Sequence, residues 1–275
     1  MKTVFKRTLL ASLVVPFALG ASLASAVEIT SWDYSTDNFF SDASFSSGTG
    51  TTSEAAQELS WGGVDADDRS SVSITDVVGT GLVTNNGFVD GGVFTHDNNV
   101  IDAEYSALTG FTLSTQLNLT AVLPVSEAGT MQSVGPINFS ASFNETRNRA
   151  PCEGTSTGIP CDDIFTLNDV PAGATPNANG WFELSSDSFT IDDYVYTVFL
   201  ELENLARLGE TTCGVAGAPD NCVGLLTQED TSNTFQARFR IASAQVPVPE
   251  PGTLALLGMG LAGLGLSRRR KAAKS

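Results

Sequence analysis

The sequence predicts an all-β fold: one antiparallel β-sandwich, of the jelly-roll or Ig-like kind, followed by a short C-terminal transmembrane helix. Apolar and polar residues alternate over long stretches, which would place one row of side chains in a core and the other in solvent. Gly, Ser, Thr, Asn and Asp are abundant, as turns between short strands require. No comparable stretch between the two ends keeps the spacing of an amphipathic helix. A closed barrel is the alternative, because a sequence does not show whether sheet edges meet.

Individual strands follow from this alternation. The clearest period-two segments are residues 111–123, 137–143, 194–203 and 235–241. Shorter strands are predicted at residues 29–34, 72–78, 88–94, 164–167 and 223–227. Residues 35–70 are polar with few periodic apolar positions, and they predict a long surface loop or a weakly ordered segment. Ser53 to Leu59 is expected to form at most one or two helical turns.

The chain divides into four predicted parts. A basic start, an apolar run and a small-residue cleavage site are typical of a secretory signal peptide, here Lys2, Lys6 and Arg7, Leu9 to Leu19, and Ala24 to Ala26. The predicted parts are the signal peptide at residues 1–26, an exported β-sandwich domain at 27–243, a linker at 244–248 and a sorting segment at 249–275.

The exported part is strongly acidic. Residues 27–250 contain 31 acidic and six basic side chains, a net charge of −25. Such a surface repels nucleic acid and anionic lipid headgroups, so we expect no nucleic-acid partner. Solubility outside the cell explains the charge most simply, and cation binding is the more specific alternative.

Four cysteines form two pairs with the same spacing, Cys152 with Cys161 and Cys213 with Cys222. In an oxidising compartment this pattern predicts two local disulfides. A strongly alternating strand precedes each pair, so each disulfide is expected to close the loop of a β-hairpin. Two other pairings stay open on sequence alone. Zinc is disfavoured, because the gaps are wide and no histidine lies nearby.

Few residues suggest a chemistry. Asp65, Asp67 and Asp68 could offer carboxylates to calcium, but they lack EF-hand spacing, and a solvated acidic loop is the simpler interpretation. The single histidine, His96, lies among turn-forming residues and is predicted to help hold a turn after a strand. A G-x-S-x-G match at residues 154–158 lacks the helix and the later histidine of a nucleophile elbow. We therefore expect no enzymatic activity and no cofactor, with a structural calcium ion as the alternative.

The C-terminal segment has three parts. Pro249-Glu250-Pro251 comes first, then a predicted short transmembrane helix at 252–266, then a basic tail at 268–275 that begins Arg268-Arg269-Arg270-Lys271. The uninterrupted apolar run, Leu254 to Leu266, would be about 20 Å long as a helix, whereas a hydrocarbon core is about 30 Å thick. The basic tail should stay cytoplasmic and place the acidic domain outside. A tail anchor in a thin membrane is the alternative.

This order of parts resembles the PEP-CTERM sorting signal of Gram-negative bacteria. The resemblance implies that exosortase, a membrane-embedded transpeptidase-like enzyme, recognises Pro249-Glu250-Pro251 and cuts nearby. It also implies three stages for the protein: export by a secretion translocon, a tether in the inner membrane, and release to the cell surface or extracellular polysaccharide.

The body of the chain resembles a PEP-CTERM subfamily with a Thr-His-x-Asn motif. Thr95, His96 and Asn98 match that motif. Three further matching segments are FNETRN (143–148), DIFTLND (163–169) and LLTQED (225–230). The resemblance implies an exported β-rich protein and adds no catalytic residue.

Two functional expectations follow. The first is a non-enzymatic surface or extracellular-matrix protein associated with exopolysaccharide or biofilm. The alternative is a carbohydrate- or calcium-dependent binding module or adhesin, for which Trp32, Trp61 and Trp181 are candidate sugar-stacking residues.

Overall fold

The computed structural model describes residues 26–152, 154–155, 159–168, 170, 174–246 and 259–261. In these residues the chain forms two curled antiparallel sheets of seven strands each. A 3₁₀ turn, Ala66–Asp68, and a short helix, α1 (Glu210–Val215), lie between strands. The prediction of an all-β antiparallel fold is confirmed.

Each sheet combines strands from distant parts of the chain. From one edge to the other, the first sheet consists of β12 (Ala206–Arg207), β13 (Val223–Thr227), β9 (Asp163–Leu167), β8 (Met131–Asn144), β7 (Leu108–Leu123), β1 (Ser31–Phe45) and β5 (Val77–Val83). In the same sense, the second sheet consists of β10 (Glu183–Ile191), β11 (Tyr194–Leu202), β14 (Thr231–Gln245), β6 (Val89–Asn98), β4 (Arg69–Ile74), β3 (Glu58–Gly62) and β2 (Ser53–Ala55). The chain passes between the sheets several times, and the short connection from β13 to β14 is one of these crossings.

Apolar residues of both sheets pack together in two clusters. In the larger cluster, Trp61 and Phe94 of the second sheet lie among aromatic residues of the first, including Phe143. In the other cluster, Trp32 of the first sheet meets Tyr196 of the second edge-on, with ring centroids 5.4 Å apart. Burying one such side chain contributes roughly 1.5–3 kcal/mol. These clusters therefore hold the two sheets against each other.

The clearest period-two segments are strands, as predicted. Residues 111–123 lie in β7, 137–143 in β8 and 235–241 in β14, while all but the last residue of 194–203 lies in β11. Their side chains alternate between buried and more exposed positions, as expected for strands in a sheet with one face against the core and the other towards solvent.

Residues 35–70, by contrast, are not the predicted loop. Most of β1, all of β2 and all of β3 fall within this range, and Ser53 to Leu59 forms part of a strand pair instead of helical turns. In the first ten residues of β1 every second side chain is buried, but two of those buried side chains, Thr36 and Asn38, are polar. These polar residues interrupt the apolar row that would have identified the strand.

The side-chain amide of Asn38 forms its hydrogen bonds with residues that are distant in sequence. Its Nδ2 donates to the carbonyl oxygens of Thr75 (2.8 Å) and Gly91 (3.0 Å), and its Oδ1 accepts from Thr115 Oγ1 (2.8 Å). A buried amide with these partners avoids the cost of an unmet hydrogen bond. The long strand is thus compatible with a polar interior position.

Both predicted disulfides are present. Cys152–Cys161 lies in the connection between the paired strands β8 and β9, and its Cα atoms are 5.4 Å apart. Cys213–Cys222 lies between the paired strands β12 and β13, with Cα atoms 5.7 Å apart and Cys213 within α1. The second hairpin differs from the prediction, since the strongly alternating strand before it, β11, belongs to the other sheet.

Most of the two targeting segments lies outside the described residues. This applies to residues 1–25 of the predicted signal peptide, to Pro249-Glu250-Pro251 and to the basic tail at 268–275. Residues 259–261, within the predicted transmembrane helix, are helical. Across the described ranges, no helix has the length and apolarity needed to span a membrane. Ala244 and Gln245, the first residues of the predicted linker, belong to β14.

Candidate functional site

Three carboxylates from separate segments meet at one end of the first sheet: Glu145, Asp163 and Glu229. One carboxylate oxygen from each lies within 4.8 Å of the corresponding oxygens of the other two. Within the described ranges, this is the one group of three acidic, histidine or cysteine side chains that approach so closely. We call these residues the carboxylate cluster.

Strand register explains why these three residues meet. Asp163 is the first residue of β9 and pairs with Thr227, the last residue of β13, so Glu229 lies just beyond that pair. On its other side β9 pairs with the end of β8, and Glu145 is the residue that follows β8. Residues that are far apart in sequence are therefore brought together by hydrogen bonding between neighbouring strands.

Each carboxylate of the cluster has one hydrogen-bonded oxygen and one oxygen without a partner. The donors are Trp61 Nε1 to Glu145 Oε2 (2.7 Å), the backbone N–H of Thr146 to Asp163 Oδ1 (2.7 Å), and Asn148 Nδ2 to Glu229 Oε1 (2.9 Å). The remaining oxygens are buried and have no hydrogen-bond partner in the described part of the chain: Glu145 Oε1, Asp163 Oδ2 and Glu229 Oε2.

Asn98 adds a fourth such oxygen. It is the last residue of β6, is 1% exposed, and its Oδ1 also has no hydrogen-bond partner among the described residues. Its Nδ2 donates to the carbonyl oxygen of Thr227 at 3.4 Å, and its side chain lies close enough to Asp163 to lower the pKa of that carboxyl. Asn98 therefore belongs to the surroundings of the carboxylate cluster.

Burial raises the pKa of all three carboxyls. The pKa of Glu145 rises from 4.5 to about 8 and that of Glu229 to about 7, while the pKa of Asp163 lies well above its usual range. Repulsion adds to the effect of burial: the charge of Glu229 raises the pKa of Glu145, and both raise that of Asp163. Hydrogen bonds from the donors above act in the opposite direction.

No basic side chain in the described part of the chain forms an ion pair with the carboxylate cluster. Buried carboxylates without a counter-charge are expensive, because the protein interior solvates ions poorly. The cluster can lower this cost in two ways. Its members can hold protons, as the raised pKa values indicate, or they can share a cation.

His96 has a different position from the one predicted. It lies inside β6, not in a turn, and it is fully buried. Its ring stacks on Trp61, with centroids 5.6 Å apart, and meets Phe143 edge-on at 5.1 Å. Neither ring nitrogen has a hydrogen-bond partner in the described residues, and burial lowers the pKa to about 3. The prediction of a turn is wrong: neutral His96 packs behind the tryptophan that donates to Glu145.

The predicted calcium candidates lie elsewhere. Asp65, Asp67 and Asp68 are exposed, in and beside the 3₁₀ turn, and they do not form a group within ligand distance of one another. Ser156, the candidate nucleophile of the G-x-S-x-G match, lies outside the described residues.

The tryptophans do not form a sugar-binding platform as a set. Trp32 and Trp61 are fully buried. Trp181 is partly exposed, and the Arg238 guanidinium lies 4.9 Å from the centre of its ring. Trp32 and Trp61 are therefore not available to stack on a sugar ring.

Sequence reasoning did not identify the carboxylate cluster, although a signal for it was present. The segments FNETRN, DIFTLND and LLTQED contribute Glu145, Asp163 and Glu229 respectively. Asn98 comes from the Thr-His-x-Asn match, in which Thr95 points to the other face of β6. All four segments that carry the second resemblance therefore meet at one place.

Residues 247–271 match the PEP-CTERM protein-sorting motif. This motif indicates an exported protein that is tethered to the membrane until exosortase processes it. No curated protein sequence matches the chain. The motif covers the C-terminal segment only, so it assigns no role to the sheets or to the carboxylate cluster.

Proposed function

We propose that the chain is a non-enzymatic protein of the surface or extracellular matrix of a Gram-negative bacterium. A secretion translocon exports it, its short C-terminal helix holds it in the inner membrane, and exosortase releases it. Outside the cell it associates with exopolysaccharide or biofilm material. The observation that carries this proposal is the sorting motif at residues 247–271.

Other features support the proposal. Two disulfides suit an oxidising compartment, and 31 acidic side chains suit a soluble exported domain. Two seven-stranded sheets with shared apolar clusters support a β-sandwich as the exported domain. The convergence of the four matching segments supports a place in the Thr-His-x-Asn subfamily, with Thr95, His96 and Asn98 as its motif.

Replacing Pro249-Glu250-Pro251 by three alanines should stop processing and release. We expect the unaltered chain to reach the surface without Arg268 to Lys271, and the variant to remain in the membrane fraction with these residues attached. Fractionation with C-terminal mass spectrometry, in cells with and without exosortase, measures both properties. Thr253→Ala, two residues after the tripeptide, is the matched control and should be processed normally. Surface protein that retains Arg268 to Lys271 would contradict the proposal.

A calcium-dependent binding module or adhesin is the second candidate, and the carboxylate cluster is the observation that favours it. Calorimetric titration with the host exopolysaccharide, in EDTA and then in calcium, separates the two candidates. The matrix role predicts binding in both solutions, whereas the calcium-dependent module predicts binding in calcium alone. Absence of binding in both solutions would count against each.

A further inference from the structure

We propose that Glu145, Asp163 and Glu229 bind one Ca²⁺ ion. This site is distinct from the exposed aspartates at 65–68 and does not depend on sorting or on a matrix role. Four observations support it: the distances between the carboxylate oxygens, the absence of hydrogen-bond partners for their free oxygens in the described part of the chain, the negative charge without an ion pair, and the preference of hard cations for oxygen.

The spacing of the oxygens fits a single ion. Ca²⁺ binds oxygen at about 2.3–2.6 Å, so two ligands on opposite sides of one ion are about 4.6–5.2 Å apart. The three carboxylate oxygens lie within 4.8 Å of one another, which is within that limit. A point between the three oxygens is then at most about 2.8 Å from each, so a small movement of the side chains brings all three to bonding distance.

The free oxygens identify this group as more than a set of acidic side chains. Each carboxylate uses one oxygen for a protein donor and leaves the other buried and unpartnered, and Asn98 Oδ1 is in the same state. Buried polar atoms are rarely left without a partner, because each unmet hydrogen bond costs about 1–3 kcal/mol. One cation between the three carboxylates accounts for their free oxygens.

The charge leads to the same conclusion. Three ionised carboxylates at this site would carry a charge of −3 with no ion pair to a basic residue in the described part of the chain. Buried Asp162 adds a further negative charge near Glu229. A divalent cation would neutralise most of this charge at the point where the carboxylates meet.

The donor set selects the kind of ion. All three side-chain donors are carboxylate oxygens, which hard cations prefer, whereas zinc and copper sites use histidine nitrogen or cysteine sulfur. The four cysteines are in disulfides and the single histidine is not in the cluster. Mg²⁺ demands octahedral geometry and keeps several waters, whereas Ca²⁺ accepts a larger and less regular set of protein oxygens. Ca²⁺ is therefore the preferred ion.

The surrounding chain holds the ligands in place. Asn148 Oδ1 accepts from the backbone N–H of Cys161 (3.0 Å), and Thr146 Oγ1 donates to the carbonyl oxygen of Cys161 (3.0 Å). The disulfide to Cys152 thus lies next to the loop that carries Glu145 and the start of β9. Two surface clefts, of about 550 and 590 Å³, have Glu145 on their walls, so one side of the cluster lies near the surface.

Thermal unfolding of the full chain in mild detergent tests the site. After EDTA treatment, Ca²⁺ at about 100 times its Kd should raise the Tm by about 5–10 °C, and Mg²⁺ at the same concentration should raise it less. The variant E145Q/D163N/E229Q should lose the calcium-dependent rise. The matched control D65N/D67N/D68N removes three exposed carboxylates and should keep it. No rise in the unaltered chain, an equal rise with Mg²⁺, or a rise that persists in the cluster variant would each overturn the proposal.

A second measurement does not require the cluster variant to fold. Tb³⁺ occupies calcium sites and emits when an adjacent tryptophan transfers energy to it. Trp61 donates to Glu145 at 2.7 Å, whereas Trp32 lies in the other apolar cluster. In the unaltered chain we expect tryptophan-sensitised emission that Ca²⁺ displaces. Emission should fall several-fold in W61F and persist in W32F. The absence of sensitised emission in the unaltered chain would overturn the proposal. Emission that is lost in W32F and kept in W61F would overturn it as well.

Discussion

Replacing Arg238 by methionine should lower the free energy of unfolding by about 3–5 kcal/mol, a large part of the stability of most domains. The substitution leaves the carboxylate of Glu201 without its cationic partner. Glu201 is 3% exposed, and its other hydrogen bond comes from Asn177 Nδ2. A buried carboxylate that loses its counter-charge incurs the full cost of removal from water. Methionine keeps much of the aliphatic volume, so lost packing contributes less than it would with alanine.

Arg240 provides a matched control on the same strand. It lies two residues further along β14 and pairs with Glu183 at 2.6 Å, but both side chains are about one-quarter exposed. Solvent screens such a pair, so Arg240→Met should cost about 1 kcal/mol or less. Urea unfolding at pH 7 measures both variants. The double variant R238M/E201M should recover most of the loss, because it removes the buried charge as well. Equal losses in R238M and R240M would contradict the argument.

The strands that the sequence identifies are those whose buried positions are apolar. β7 and β14 show their apolar face directly, because Phe111, Leu117 and Phe239 occupy buried positions. β1 shows its apolar face only over its first four residues, Ser31 to Tyr34, because Thr36 and Asn38 take the next two buried positions. Their hydrogen-bond partners come from chain segments some 40 to 80 residues away. Alternation of hydropathy cannot show such partners, so the strand resembles a polar loop.

The carboxylate cluster was hidden for a similar reason. Asp65, Asp67 and Asp68 are adjacent in sequence and therefore visible, but adjacent side chains on an exposed turn diverge into solvent. Glu145, Asp163 and Glu229 are far apart in sequence and become neighbours only through the pairing of β9 with β8 and β13. Which strands pair cannot be deduced from alternation. The segments that carry these residues could be identified from the sequence, but the contact between them could not.

In the absence of divalent cations, the chain should lose stability as pH rises from about 5 to 8. The folded-state pKa values of Glu145 (about 8) and Glu229 (about 7) lie above the ordinary value of 4.5. In this window the folded chain therefore holds more protons than the unfolded chain, and the free energy of unfolding falls with rising pH. For Glu145 alone the loss is on the order of 4 kcal/mol. Asp163, Asp162 and Asp230 face the same site, and their negative charges reinforce the trend.

His96 makes the free energy of unfolding depend on pH in the opposite direction, at lower pH. Burial lowers its pKa from 6.5 to about 3, so the stability that it contributes is complete above pH 6.5 and is lost as pH falls towards 3. Above about pH 4.5 the raised carboxyl pKa values outweigh the one histidine, so stability falls with rising pH. Urea unfolding in EDTA between pH 3 and 9 should therefore show a maximum at about pH 4–4.5. E145Q/E229Q should remove most of the fall above the maximum, whereas His96→Phe should reduce the fall below the maximum and steepen the fall between the maximum and pH 6.5. Saturating Ca²⁺ should reduce the fall in stability above the maximum, because the ion then replaces the protons that the carboxylates release. A metal-free chain whose stability rises from pH 5 to 8 would show that the three carboxylates are solvated or paired in solution.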